Sequence, residues 1–212
     1  MTIRLFIADD HAMVRAGLRR ILTEQSDVQV VGEAASADEL LRKVTEVDVD
    51  VVLLDVTMPG PGILETLRLL QEKAPEVRPL VLSMHPEEQY ARRVLRAGAA
   101  GYITKDQPPD RLLEAVRKAA GGGHFVSPRL AEALAAALMA GQTEATPVSA
   151  LSDREFEVLR LIGSGRSVKK IASELGLSPK TISTYRVRLM EKLNLKTTAE
   201  LIRFAIGQGI VE

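Results

Sequence analysis

Val51-Val52-Leu53-Leu54-Asp55 is a short apolar run closed by a carboxylate, and Val56-Thr57-Met58-Pro59-Gly60 turns the chain directly after it. The length and β-branched content of the run suit a buried strand. Four further segments share this character: Ile3–Ala8, Val28–Glu33, Leu80–Ser83 and Gly101–Thr104. Between and after them, apolar residues recur at helical spacing over Met13–Leu22, Glu39–Val44, Ile63–Leu70, Gln89–Ala97 and Leu112–Ala119. Ser36-Ala37-Asp38-Glu39 has the form of a capping box opening the second of these helices. Parallel strands need crossovers, and crossovers are right-handed, so five βα repeats predict an α/β fold with a five-stranded, doubly wound parallel sheet. Such sheets place their ligands at the carboxyl ends of the strands.

The rest of the chain differs in character. Gly121-Gly122-Gly123 ends the fifth helix, an Ala-rich helix is predicted over Arg129–Met139, and Gly141 to Ser149 is small, polar and Pro-containing, the composition of a linker. Beyond it the periodicity is helical to the end. The expected organisation is therefore a first domain over 1–121, a connecting helix and linker over 122–150, and a small all-α domain over 151–212. Net charge is zero, but 151–212 holds 11 Lys/Arg against 7 Asp/Glu, and Arg166 to Lys196 holds 8 against 2. An acidic module followed by a basic one suggests two different partners, one of them nucleic acid.

Composition excludes several chemistries. No Cys is present, which removes disulfides, thiolate catalysis and Cys-ligated metal centres. His11, His85 and His124 are scattered without ligand spacing. No apolar run is long enough for a membrane span, and Met1-Thr2-Ile3-Arg4 runs straight into a strand without a signal peptide, so a cytoplasmic protein is expected. A Gly-rich Lys-Ser/Thr nucleotide loop is absent.

The strand ends carry the chemistry. Asp9-Asp10 follow the first strand, Asp55 ends the third, Ser83 ends the fourth, and Lys105 follows the fifth. An Asp at a strand end is often a solvated turn residue or an N-cap, but five such residues on successive strand ends would converge on one sheet edge. Three carboxylates in one pocket repel unless a cation neutralises them, and hard oxygen ligands favour Mg2+. A carboxylate beside Mg2+, a Lys and a hydroxyl suits acceptance of a phosphoryl group.

These residues resemble the receiver domain of bacterial response regulators, the CheY-like fold, through Asp9-Asp10-His11, the Leu53–Gly60 run, Ser83 and Gly101-Tyr102-Ile103-Thr104-Lys105. The resemblance implies that Asp55 is the phosphoacceptor and that Asp9, Asp10, Asp55 and the backbone carbonyl of Thr57 hold Mg2+. It also implies that Lys105 and Ser83 bind the phosphoryl oxygens while Tyr102 turns inward after Ser83. One departure is visible: after Met58-Pro59, Gly60-Pro61-Gly62 brings the second glycine one position early, where many receivers have Gly-x-x-Gly.

In the basic module, Ser152 and Glu155 form a second capping box, and Leu151 with Phe156 can close as a hydrophobic staple. The helix Arg154–Ile162 is followed by Val168–Leu175, a break at Gly176, and a new helix opened by Ser178-Pro179. That short connection predicts a helix-turn-helix, whose second helix reads the DNA major groove. At 100° per residue, Ile182, Tyr185, Leu189 and Leu193 share one face, assigned to the core, with Lys180, Thr184, Val187, Arg188 and Glu191 opposite and Ser183 on the flank. Arg and Lys can contact guanine or phosphate, and Thr and Val can pack on thymine methyls. Lys169, Lys170, Arg186 and Lys192 fit phosphate contacts.

This segment resembles the LuxR-type DNA-binding domain through Leu151–Leu159, Lys170-Ile171-Ala172-x-x-Leu175, Ser178–Ile182 and Glu200–Arg203, with Val168 where Asn is usual and Tyr185 where His is frequent. Both modules together resemble a NarL/FixJ-type response regulator. The resemblance implies phosphorylation by a sensor histidine kinase, dimerisation on activation with contacts from about Thr198 to Gly207, double-stranded DNA as target and the transcription machinery as partner. It implies no enzymatic activity beyond phosphoryl acceptance and slow self-dephosphorylation. Two other classes stay open: an aspartyl-phosphate phosphatase, whose Asp-x-Asp pattern is not matched by the adjacent Asp9-Asp10, and a phosphorylation-independent DNA-binding regulator with a vestigial receiver.

Overall fold

The computed structural model describes residues 2–84, 87–139, 148 and 151–211. Apart from Val148, the predicted Gly141–Ser149 linker lies outside the described residues, as does His85. The chain divides into two compact units, Met1–Val126 and Ser127–Glu212. Among the described residues no helix is long and apolar enough to cross a membrane.

The first unit alternates strands and helices: β1 (Ile3–Ala8), α1 (Ala12–Thr23), β2 (Val28–Ala34), α2 (Ala37–Lys43), β3 (Val51–Asp55), α3 (Ile63–Lys73), β4 (Arg78–Ser83), α4 (Glu87–Arg96), β5 (Gly101–Thr104) and α5 (Pro109–Ala120). The strands form one parallel sheet in the order β2-β1-β3-β4-β5. Leu5, Ile7, Val51, Leu53, Leu80, Leu82 and Ile103 are buried together with Leu112, Ala115 and Val116 of α5. Each such Leu, Ile or Val contributes about 1.5–3 kcal/mol on full burial. Register then sets the strand ends level: Ala8 pairs with Leu54, Asp55 with Leu82, and Ser83 with Thr104. The residues that follow β1 and β5 must therefore emerge beside Asp55 and Ser83.

Two local details differ from the sequence expectation. Ser36 caps α2 by accepting the Glu39 amide, but the Glu39 carboxylate accepts from the Ala35 N–H at 2.7 Å, so the reciprocal bond of a capping box falls one residue early. The early second glycine has a structural role: Gly62 is the N-cap of α3, its carbonyl accepting the Thr66 amide at 2.8 Å. Gly60 holds φ +110°, a conformation open to glycine.

The first unit does not stop at α5. Phe125 forms a one-residue parallel bridge with Gly101. The Phe125 amide donates to the Ala100 carbonyl at 2.8 Å, and the Tyr102 amide donates to the Phe125 carbonyl at 3.1 Å. A Cβ on Gly101 would sit 2.5 Å from the Phe125 carbonyl oxygen, so only glycine permits this approach. Arg78 Nη2 holds the Gly122 and Gly123 carbonyls, each at 3.2 Å, and the Arg111 guanidinium lies over the Phe125 ring.

The second unit contains α6 (Pro128–Met139), α7 (Asp153–Gly163), α8 (Val168–Glu174), α9 (Pro179–Lys192) and α10 (Thr198–Gly207). Phe156, Val158, Leu159, Leu161 and Ile162 of α7 are buried with Ile171, Ile182, Leu189, Leu201 and Ala205. The α8–α9 turn is fixed by Gly176 at φ +62° and by the Leu177 amide donating to the Ala172 carbonyl at 2.9 Å, which satisfies an orphan end of α8. Arg154 of α7 donates to the Leu175 carbonyl at 2.9 Å and pins the turn from the other side.

Candidate functional site

Asp9 and Asp55 are buried at the carboxyl edge of the sheet, with Lys105 between them. Lys105 Nζ lies 2.6 Å from Asp9 Oδ2 and 3.0 Å from Asp55 Oδ1. Burial acts to lower the Lys105 pKa, but the hydrogen bond to Asp9 and the Asp55 charge outweigh it and hold the amine above its ordinary range. Thr57 Oγ1 donates to Asp55 Oδ2 at 2.8 Å, so both Asp55 oxygens are engaged and the carboxylate is oriented.

Asp10 stands beside this pair. Its Oδ1 is buried and receives no hydrogen bond, and its neighbour is His11 Nδ1 at 2.7 Å. One ligand atom from each of Asp9, Asp10, His11 and Asp55 falls within 4.8 Å of all the others. Oxygen-rich donors around an orphaned carboxylate oxygen fit a hard divalent cation. His11 belongs to this group although its spacing from the other histidines gave no sign of it. The signal lay in its adjacency to the acidic pair. It is also the N-cap residue of α1, and its amide donates to Asp9 Oδ1 at 2.8 Å.

Ser83 and Tyr102 complete the edge. Both are buried. Burial raises the Tyr102 pKa, and a hydrogen bond with the Ser83 side chain works the other way. The ring is thus already turned inward beside Ser83. All the residues singled out at the strand ends lie at one edge of the sheet.

In the second unit, Lys180, Thr184, Val187, Arg188 and Glu191 of α9 are exposed, Ser183 is half-exposed, and Ile182, Leu189 and Leu193 are buried. Tyr185, assigned to the core face, is only half-buried. The Ser183 and Thr184 hydroxyls bond back to the Pro179 and Lys180 carbonyls at 3.0 and 3.1 Å. Lys169 and Lys170 are exposed on α8, while Arg186 is half-buried. Lys192 is engaged elsewhere: its Nζ meets Glu155 Oε2 at 2.7 Å, tying the end of α9 to the start of α7.

The comparisons with known proteins agree with this geometry. Residues 5–117 match the response regulator receiver domain, and residues 149–205 match the bacterial regulatory proteins of the luxR family. The chain is 39% identical to the response regulator GacA of Pseudomonas viridiflava over 99% of its own length and 98% of that protein. It is 36% identical to the response regulator UvrY of Escherichia coli K12, over 98% and 95%. Among solved structures, the RcsB response regulator of Salmonella typhimurium is similar at 28% identity and TM-score 0.80, covering 97% of this chain and 98% of that one. RcsB bound to the rprA promoter in the presence of the phosphomimetic BeF3- is similar at TM-score 0.72, with 28% identity over 96% and 98%. With the receiver signature on the first unit, the luxR signature on the second and full-length relatives spanning both, the chain belongs to the two-component response regulators of the NarL/FixJ type.

Proposed function

We propose that this protein regulates transcription through phosphorylation of Asp55, and that phosphorylation promotes dimerisation and sequence-specific DNA binding. Its family is one of regulators rather than of enzymes acting on a separate substrate. The observation that carries the proposal is the buried Asp9–Lys105–Asp55 contact, drawn together from three strand ends.

The donor is a phosphohistidine on a sensor histidine kinase or a small phosphodonor. An Asp55 carboxylate oxygen attacks phosphorus, the bond to the donor breaks, and the leaving group departs with its electron pair. Thr57 orients the Asp55 carboxylate for in-line approach, and Lys105 shifts from the carboxylates onto a phosphoryl oxygen. Asp9, Asp10, Asp55 and the Thr57 backbone carbonyl are the residues that would hold Mg2+, which supplies positive charge against the transferring oxygens. The Ser83 hydroxyl donates to the phosphoryl group, and Tyr102 holds its inward position against Ser83. The modified receiver then favours one of two pre-existing states, since a switch biases only states that exist.

Within the organisation 1–121, 122–150 and 151–212, the last segment docks on double-stranded DNA. Lys180, Ser183, Thr184, Val187 and Arg188 face base edges, and Lys169, Lys170 and Arg186 neutralise phosphates, while Lys192 is held by Glu155. The relative RcsB, seen on promoter DNA with a phosphomimetic, supports this assignment.

The test is the intact mass of the full chain after incubation with acetyl phosphate, with and without Mg2+, beside Asp55→Asn. A Mg2+-dependent phosphoryl adduct on the wild type alone is expected. No adduct, under conditions that label an established receiver, would replace this proposal with a phosphorylation-independent regulator.

A further inference from the structure

Arg15 is not among the acidic site's ligands, yet its guanidinium ends on it. From the first turn of α1, Arg15 Nη1 donates to the Asp9 backbone carbonyl at 2.6 Å. Its Nε lies 3.6 Å from Glu33 Oε2 on β2, and its side chain is 19% exposed. Glu33 is itself held: Arg19 Nη1 pairs with its Oε1 at 3.0 Å, and Lys43 of α2 donates to its carbonyl at 3.0 Å.

Asp9 is the residue most completely tied down at the site. Its amide donates to the Ala34 carbonyl at 3.1 Å, Oδ1 accepts from the His11 amide and Oδ2 from Lys105. Its carbonyl lies just beyond the last ladder pair of β1, at Ala8, and Arg15 supplies its partner. The Asp9–Asp10 peptide is the covalent link between two of the three carboxylates. Its orientation decides where both side chains start.

We infer that Arg15 is a positioning residue: it locks the Asp9–Asp10 peptide so that both carboxylates are pre-set toward Asp55 for a divalent cation. This inference rests on the proposed metal-dependent phosphoryl acceptance. A hydrogen bond from a charged donor is stronger than a neutral one, and loss of an outer partner of a metal ligand weakens metal affinity about 10–100-fold. The planar fork of Arg reaches the Asp9 carbonyl and Glu33 together, a geometry the single ammonium of Lys does not reproduce.

The test titrates Mn2+ into the full chain and reads free Mn2+ by electron paramagnetic resonance, for wild type, Arg15→Ala, Arg15→Lys and Arg19→Ala. Arg15→Ala is expected to weaken Mn2+ binding at least about tenfold, with Arg15→Lys between it and the wild type. Arg19→Ala removes a Glu33 ion pair on the same helix without touching Asp9 and keeps the wild-type affinity. In the acetyl phosphate reaction, Arg15→Ala raises the Mg2+ needed for half-maximal labelling and leaves labelling at saturating Mg2+ near the wild type. Unchanged Mn2+ affinity in Arg15→Ala with wild-type circular dichroism overturns the assignment. If Arg15→Ala loses its helical signal, equal Mn2+ affinity in Arg15→Lys and Arg19→Ala overturns it instead. A wild type that neither binds Mn2+ nor forms an adduct defeats the underlying proposal, a separate outcome.

Discussion

Glu155 concentrates three donors on one carboxylate oxygen. Oε2 accepts from the Ser152 amide at 2.8 Å, the Ser152 hydroxyl at 2.9 Å and Lys192 Nζ at 2.7 Å. Burial pushes its pKa up, but the bonds from Lys192 and Ser152 outweigh burial and hold it below the ordinary 4.5. The stabilising contribution is therefore fully present above pH 4.5 and is lost as pH falls through the lowered value. The two halves of the pair are unequal, since the Glu155 side chain is 5% exposed and that of Lys192 44%. Removing Lys192 strands a buried charge, whereas removing the Glu155 charge leaves an amine that can turn to water. Lys192→Met should thus destabilise the second module by about 2 kcal/mol at pH 7, more than Glu155→Gln, which keeps a cap-competent side chain. Thermal melts at pH 7 and pH 4 check this: the gap between Lys192→Met and wild type should narrow at the lower pH. A wider gap, or Glu155→Gln as the worse variant, contradicts the argument.

At the scale of elements, the outward face of α9 makes its own prediction. Lys180 and Arg188 are exposed on it, so Lys180→Ala and Arg188→Ala should weaken binding to a duplex selected from a random pool by the wild type. Fluorescence anisotropy across a salt series separates their parts. Removing a cation that neutralises one phosphate lowers the salt slope by about 1, while removing a base-reading side chain costs about 1–3 kcal/mol and relaxes preference at one position. Wild-type affinity in both variants would move the recognition face elsewhere. Much of this layer was legible in the sequence. β1, β3 and β5 span the very runs that composition marked, because apolar strands closed by turn residues are strong local signals. β4 begins earlier than expected, at Arg78, since Arg78 and Pro79 pair with Val51 and Val52 through backbone register that side-chain patterns do not encode. The acidic edge was legible because Asp9, Asp10, Asp55, Ser83 and Lys105 each follow or end a strand. Arg15 was not, because its partner is a carbonyl, and every residue type carries one. The Lys192–Glu155 pair was not legible either, because its two charges lie 37 positions apart on different helices.

At the scale of the whole molecule, β5 ends the sheet, and an end strand presents unpaired amides and carbonyls to any neighbour. Here Phe125 takes up the Tyr102 amide and the Ala100 carbonyl, with Gly101 leaving room for it. Gly101→Val in the full chain should expel that segment, because its Cβ would lie 2.5 Å from the Phe125 carbonyl oxygen, at a cost of about 1–3 kcal/mol. Limited proteolysis should then cut between 121 and 126, and size-exclusion chromatography should show concentration-dependent self-association; a monomer as resistant as wild type would count against the idea. The chain leaving the receiver is thus also the stopper in that receiver's open side. Anything that pulls the stopper, whether a mutation, a protease or a truncation placed just after the last helix, turns a solitary sheet into a template for its neighbours.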